Sequence, residues 1–227
     1  MRSLSLFFLV TLLLSSATAR SDDAVELIPL RTIPLEQLDS LLSPGTQPLI
    51  GKSAIEAFLT ALDGAPPDWA AVYGHGHHDP GHDERLFNLN RERDAAREGN
   101  PALSRLVAFV WSGELSRYDP EVKGYPVAVG PEFIQTSWGI VRFKPEEVPG
   151  NLRVMPSKAV AVRISRRLAA HEKVEVFVVM TGVLIPSESI VYDFAHEEEG
   201  RGLIMPVVRV ERVDFILPPP KPHASRH

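Results

Sequence analysis

From Gly74 to Asp83 the chain reads Gly-His-Gly-His-His-Asp-Pro-Gly-His-Asp, and four of the eight histidines in the 227-residue sequence fall inside this run. Neutral imidazole is a good ligand for zinc, copper or nickel, and neighbouring carboxylates add Coulomb attraction for a cation. His75, His77, His78 and His82 are therefore the candidate metal ligands, with Asp79 and Asp83 completing or orienting the set. An extended backbone between Gly74 and Asp79 would aim His75 and His77 the same way. A helix beginning at Pro80 would make Asp79 its N-cap and set His82 in its first turn. The same residues also compose a solvated loop with adventitious affinity only, and the sequence leaves both readings open. Structural zinc sites more often use thiolates, and the chain has no cysteine.

His75-x-His77-x-Asp79 resembles the start of the H-x-H-x-D-H motif of metallo-β-lactamase-like hydrolases. The likeness stops at Pro80, which stands where that motif has its last histidine, and the flanking sequence lacks the alternating strands and helices of that fold. No other catalytic set emerges. There is no cysteine nucleophile and no Gly-x-Ser-x-Gly elbow. Ser187, Ser189, Asp193 and His196 are close in sequence, as such residues are in many polar loops, and Glu197-Glu198-Glu199 reads as a hairpin tip. Trp111, Trp138, Tyr118 and Tyr125 stand among glycines and are expected in the core and turns of a β-domain.

Helical signals precede Asn100. A short helix is expected over Pro34–Leu42, and a second follows the capping box Ser53-Ala54-Ile55-Glu56, with Ile55, Phe58, Leu59 and Leu62 on one face. A third spans about Asp83–Glu98, with Arg91–Asp94 and Asp94–Arg97 paired at i,i+3. After Pro101 the period becomes two. Strands are expected at Leu106–Trp111, Tyr125–Val129, Trp138–Phe143, Lys158–Ile164, Lys173–Ile185, Ile190–Phe194 and Leu203–Leu217, with Arg166–Glu172 as a hairpin and a bulge near Pro206. The fold class is then α+β: short N-terminal helices followed by an antiparallel β-barrel or β-sandwich of about six to seven strands. The expected division is a cleaved signal peptide (1–19), a helical N-terminal part with the His-rich loop (20–100), an antiparallel β-domain (101–217) and a Pro-rich tail (218–227).

The first residues supply an address. Arg2, the apolar run Leu4–Leu14 and the small residues Ala17-Thr18-Ala19 match a secretory signal cut before Arg20. The missing cysteines and the lack of any Asn-x-Ser/Thr site point to a bacterial periplasm or exterior. Residues 20–100 hold fourteen acids against seven bases and residues 101–227 fifteen against sixteen, so neither part has the basic excess of a nucleic-acid binder. No later segment is long and apolar enough to span a membrane. The function these features predict is metal binding by an exported, soluble, non-enzymatic envelope protein, the cofactor being zinc, copper or nickel. The alternative is an envelope interaction module with a protein partner and no metal role.

Overall fold

The longest apolar runs form three long strands, β3 (Leu106–Leu115), β9 (Glu175–Leu184) and β11 (Gly202–Ile216), and these are the middle of the sheet. The computed structural model describes residues 28–75, 79–150, 152–195 and 200–219; the signal stretch 1–19 and residues 220–227 of the Pro-rich segment lie outside them. β9 pairs antiparallel with both β3 and β11. Val107, Phe109, Trp111, Val176, Val178, Met180 and Phe215 belong to the main core. Alternate residues, Ala108, Val110, Val179 and Ile216, are buried as well, under Leu38 and Leu41 of the N-terminal segment. Coverage on both faces is why these strands read as nearly continuous hydrophobic runs.

Shorter strands complete the sheet. β4 (Tyr125–Gly130) pairs antiparallel with β3, and β8 (Arg153–Met155) antiparallel with β4. β1 (Ile28–Arg31) runs parallel to β8 through Ile28 and Pro29, then parallel to β11 through Leu30 and Arg31. β2 (Gln47–Pro48) joins β3 in parallel, while β6 (Ile140–Val141) and β7 (Lys144–Pro145) join β11 in parallel. β5 (Ile134–Gln135) and β10 (Ile190–Phe194) add antiparallel pairs to β6 and β11.

The α+β class holds, but an antiparallel barrel or sandwich of six or seven strands does not. The described residues form one mixed sheet of eleven strands. β1 gives two residues to each neighbour rather than a full-length stave, and the sheet is not a closed barrel. Of the strand expected at Trp138–Phe143 only Ile140–Val141 forms, and two-residue strands such as β2 and β7 carry no readable period. They form where loop backbone lies beside a long strand and completes its hydrogen bonds.

One expected strand is a helix. Lys158–Ile164 lies in α4 (Lys158–Ala169), and the hairpin placed at Arg166–Glu172 is largely its last turn. Val160, Ala161, Ile164 and Leu168 pack on the core, a helical stripe, while Val162 is 61 % exposed. Ala159, Ala161 and the arginines favour a helix, and Arg166 and Arg167 suit its C-terminal dipole. Tyr125 fixes it to the sheet, its Oη 2.8 Å from Ser165 Oγ.

The remaining helices shift more modestly. The segment Leu35–Ser40 is a 3-10 helix. α1 (Lys52–Asp63) starts at Gly51, so Ser53 lies inside it and the capping box does not form. Glu56 instead accepts hydrogen bonds from the backbone N–H and Oγ of Ser137, which hold its carboxyl below the usual range. α2 covers Trp69–Tyr73 and α3 covers His82–Arg97, with Phe87 exposed rather than packed. The register of β11 slips between Val210 and Arg212, beyond Pro206, which faces Ile190 of β10.

α3 is tied down by a buried polar cluster. Arg97 is 1 % exposed. Its Nη2 donates to Asp63 Oδ2 at 2.8 Å, and its Nη1 donates to Asp94 Oδ1 at 2.7 Å and to the Ile190 carbonyl at 3.2 Å. Tyr192 Oη donates to the same Asp63 carboxylate, and the Arg97 guanidinium stands 5.6 Å from the Tyr192 ring centroid. Burial, with the Asp63 charge beside it, pushes the Tyr192 hydroxyl well above its ordinary range, so it stays a donor. Desolvation works against the charge on Arg97, yet the Asp63 hydrogen bonds and charge outweigh it and raise its pKa. Asn90 adds a ladder-like pair to the outer edge of β10, donating to the Tyr192 carbonyl and accepting its N–H, both at 2.8 Å.

Two stability measurements check this architecture. Ile164→Ala should cost about 2–5 kcal/mol, whereas Val162→Ala should stay within about 0.5 kcal/mol. Equal losses in denaturant titrations would restore the strand reading, which sets both on one face. Arg97→Met should cost about 3–5 kcal/mol by stranding the buried Asp63 carboxylate, and adding Asp63→Leu should recover much of that loss. An additive double variant would refute the coupling.

Candidate functional site

α2 opens with Asp68, whose side chain accepts the Ala71 N–H at 3.0 Å, and it ends at Gly74 with φ of 63°. A Cβ at Gly74 would lie 2.3 Å from Asp79 Oδ2 and 2.4 Å from Arg85 Nη2, so only glycine fits where the loop turns back. The loop that follows carries the His-rich run.

Asp79 organises this loop. Its Oδ1 accepts the Gly81 N–H at 2.9 Å; its Oδ2 accepts the His75 N–H at 3.2 Å and Arg85 Nη2 at 2.9 Å. These bonds, the Gly81 amide first and Arg85 next, hold the Asp79 carboxyl well below its ordinary range. Arg85 extends the anchor to α2, donating from Nε to the Val72 carbonyl at 2.9 Å and from Nη2 to that of Tyr73 at 3.2 Å. It thereby satisfies carbonyls that a helix end leaves without partners. Asp79 is not the N-cap of α3; that position is Gly81.

His82 is the most structured of the candidate ligands. Its ring packs on Phe194 with centroids 5.0 Å apart, and Nδ1 lies 2.7 Å from the Asp79 carbonyl oxygen. A carbonyl only accepts, so Nδ1 carries a proton. Nε2 then lies 3.2 Å from Asp83 Oδ1. His75 points outward, 94 % exposed, with Nδ1 3.7 Å from Asp79 Oδ2. His77 and His78 lie outside the described residues. The structure thus brings His82, Asp83 and the Asp79 backbone together, with His75 on the flank. Among the described residues no group of three or more His, Asp or Glu side chains is arranged to hold one metal ion.

The other candidates resolve into structural roles. Ser189 is fully buried, with Oγ 3.5 Å from Arg97 Nη1, and Asp193 accepts the N–H of Phe194. His196 and Glu197–Glu199 lie outside the described residues. Trp111, Trp138 and Tyr125 are buried; Trp138 accepts Trp69 Nε1 on its carbonyl, and Tyr118 stands edge-on to Tyr125. Arg85 was not visible as a site residue, because the sequence gives no sign that it returns to the end of α2 across eleven intervening positions. Asp63, Arg97 and Tyr192 were equally hidden.

No family model matches the chain, and neither a curated protein nor a solved structure shows significant similarity to it.

Because the Asp79 carboxyl titrates below the ordinary aspartate value of 3.8, its anchoring is complete above that pH. It is lost as pH falls toward the lowered folded-state value. Asp79→Ala should therefore speed amide exchange at Gly81 and His75 at neutral pH, and the unsubstituted protein should show the same loss only in strong acid. Equal protection in both proteins at neutral pH would remove Asp79 as the anchor.

Proposed function

We propose that this protein is an exported, non-enzymatic protein of the cell envelope that binds a divalent transition metal through its His-rich loop, for buffering, delivery or sensing. The observation that carries this reading is the posture of His82, with Nδ1 spent on the Asp79 carbonyl and Nε2 facing the Asp83 carboxylate. An imidazole oriented through one nitrogen by a backbone carbonyl presents the other as a ligand. Nε2 and Asp83 Oδ1 are both acceptors in that tautomer, and 3.2 Å is close for two acceptors unless a proton or a cation lies between them. A zinc ion about 2.1 Å from each would subtend an angle of about 100°, suited to neighbouring ligands of one ion.

Asp79 acts from outside the ligand set, because both its oxygens are engaged with Gly81, His75 and Arg85. His75, His77 and His78 supply the remaining donors from the same run. A set of imidazoles and one carboxylate suits zinc, copper or nickel and tolerates an oxidising compartment. The signal-like residues 1–19 support export, and with it the encounter with external metal.

Calorimetric titration of the protein with zinc and with copper tests the reading. Binding tighter than about 10 micromolar is expected, weakened about 10–100-fold by His82→Ala and less by Asp83→Asn. Weaker binding, or affinity unchanged when His75, His77, His78 and His82 all become alanine, would overturn it.

A further inference from the structure

The hydrogen-bonding edge of β3 is left open at one residue. In the antiparallel β3–β9 pair, odd-numbered β3 residues turn their N–H and C=O toward β9, as Leu115 does in donating to the Val174 carbonyl. Even-numbered residues turn theirs to the other edge. There the Ala108 carbonyl accepts the Leu49 N–H just past β2, and the Ser116 N–H donates to the Pro126 carbonyl of β4. Pairing with β2 stops at Ala108, and pairing with β4 begins only at Ser112. Val110 falls between them, and among the described residues no backbone group bonds its N–H or its C=O. Val110 is 8 % exposed, and buried backbone groups without partners are rare.

A cavity of about 180 Å³ occupies this notch. Leu49, which follows β2, lines one side, and Glu132 and Ile134, which follow β4, line another; Trp111, Phe143 and Phe177 complete the wall. The Trp111 indole N–H is spent on the Phe143 carbonyl at 3.2 Å, so the aromatic rings offer the cavity only apolar surface. Glu132 is the one charged lining residue.

We propose that the notch binds a small, mostly apolar carboxamide or lactam, which pairs with Val110 as a neighbouring strand would. The N–H and C=O of one residue, aimed the same way, match the adjacent C=O and N–H of an amide. β2 and β4 close the edge on both sides, so a passing strand has no room there and a compact molecule does. A dry cavity of about 150 Å³ lined by Leu, Ile and Phe accepts benzene, so one ring fits the space. The Glu132 carboxylate disfavours a carboxylic acid in the same place. The site shares no residue with the His-rich loop and stands apart from its metal chemistry.

Titration of isotope-labelled protein with benzamide, toluene and benzoate tests this. Benzamide is expected to give saturable amide shifts at Leu49, Val110, Ile134 and Phe177 at about millimolar concentration, with the Val110 N–H moving downfield as it gains an acceptor. Toluene, which lacks the amide, and benzoate should bind at least about 10-fold more weakly. Leu35→Trp, filling the cavity from a partly buried lining position, should abolish the shifts, and Ile134→Trp should do the same from another wall if the first variant does not fold. No saturable shift at Val110, equal affinity for toluene, or benzamide binding that survives in a folded filling variant would overturn the proposal. Binding of acetyl-valine methylamide in place of benzamide would overturn it too, by assigning the notch to a peptide segment.

Discussion

The guanidinium of Arg97 is held almost entirely out of water, and moving an ion there costs several kcal/mol before any partner is counted. What offsets that cost comes from three places in the chain: Asp63 at the end of α1, Asp94 one turn back on α3, and the Ile190 carbonyl of β10. The cost is recovered only if all three are in position together. Arg93 extends the same join, donating to the Asp63 and Ala65 carbonyls at 2.7 and 2.9 Å. A hydrophobic contact could slide by an ångström with little loss; a buried ion pair cannot, because each displaced donor strands a charge or a carbonyl.

That rigidity reaches the His-rich loop through α3. The helix is fixed to β10 by Arg97 at one end and by Asn90 in the middle, so its first turn is delivered to Phe194, also on β10. His82 occupies that turn. Its ring direction is set by an aromatic neighbour and a backbone carbonyl, while Arg85 ties the loop to α2. The buried Arg97 cluster and the His82 turn thus share one base, β10.

Long elements were legible in the chain and their partners were not. Helical spacing of Ile55, Phe58, Leu59 and Leu62 located α1, and alternation located β9 and β10 to within a residue or two. Lys158–Ile164 misled because Val160, Val162 and Ile164 satisfy a period of two while Val160, Ala161, Ile164 and Leu168 satisfy a helical stripe. Continuing the count to Leu168 favours the helix. The parallel pairings of β1, β2, β6 and β7 had no signature, since two or four residues hold too few repeats to show a period. The run of histidines was conspicuous, but the orientation of His82 depends on Phe194, more than a hundred positions away, and no local pattern encodes that.

The buried cluster also sets an order of events. Arg97 meets Ser189 across 92 residues and Asp63 meets Tyr192 across 129, so neither contact exists until β10 has been made and paired. Closing loops of that size costs entropy that only completed long-range contacts repay. The N-terminal helices can form early, but α3 acquires its final seat only after the last third of the chain has been synthesised. His82 is translated more than a hundred residues before Phe194, the ring that sets its direction.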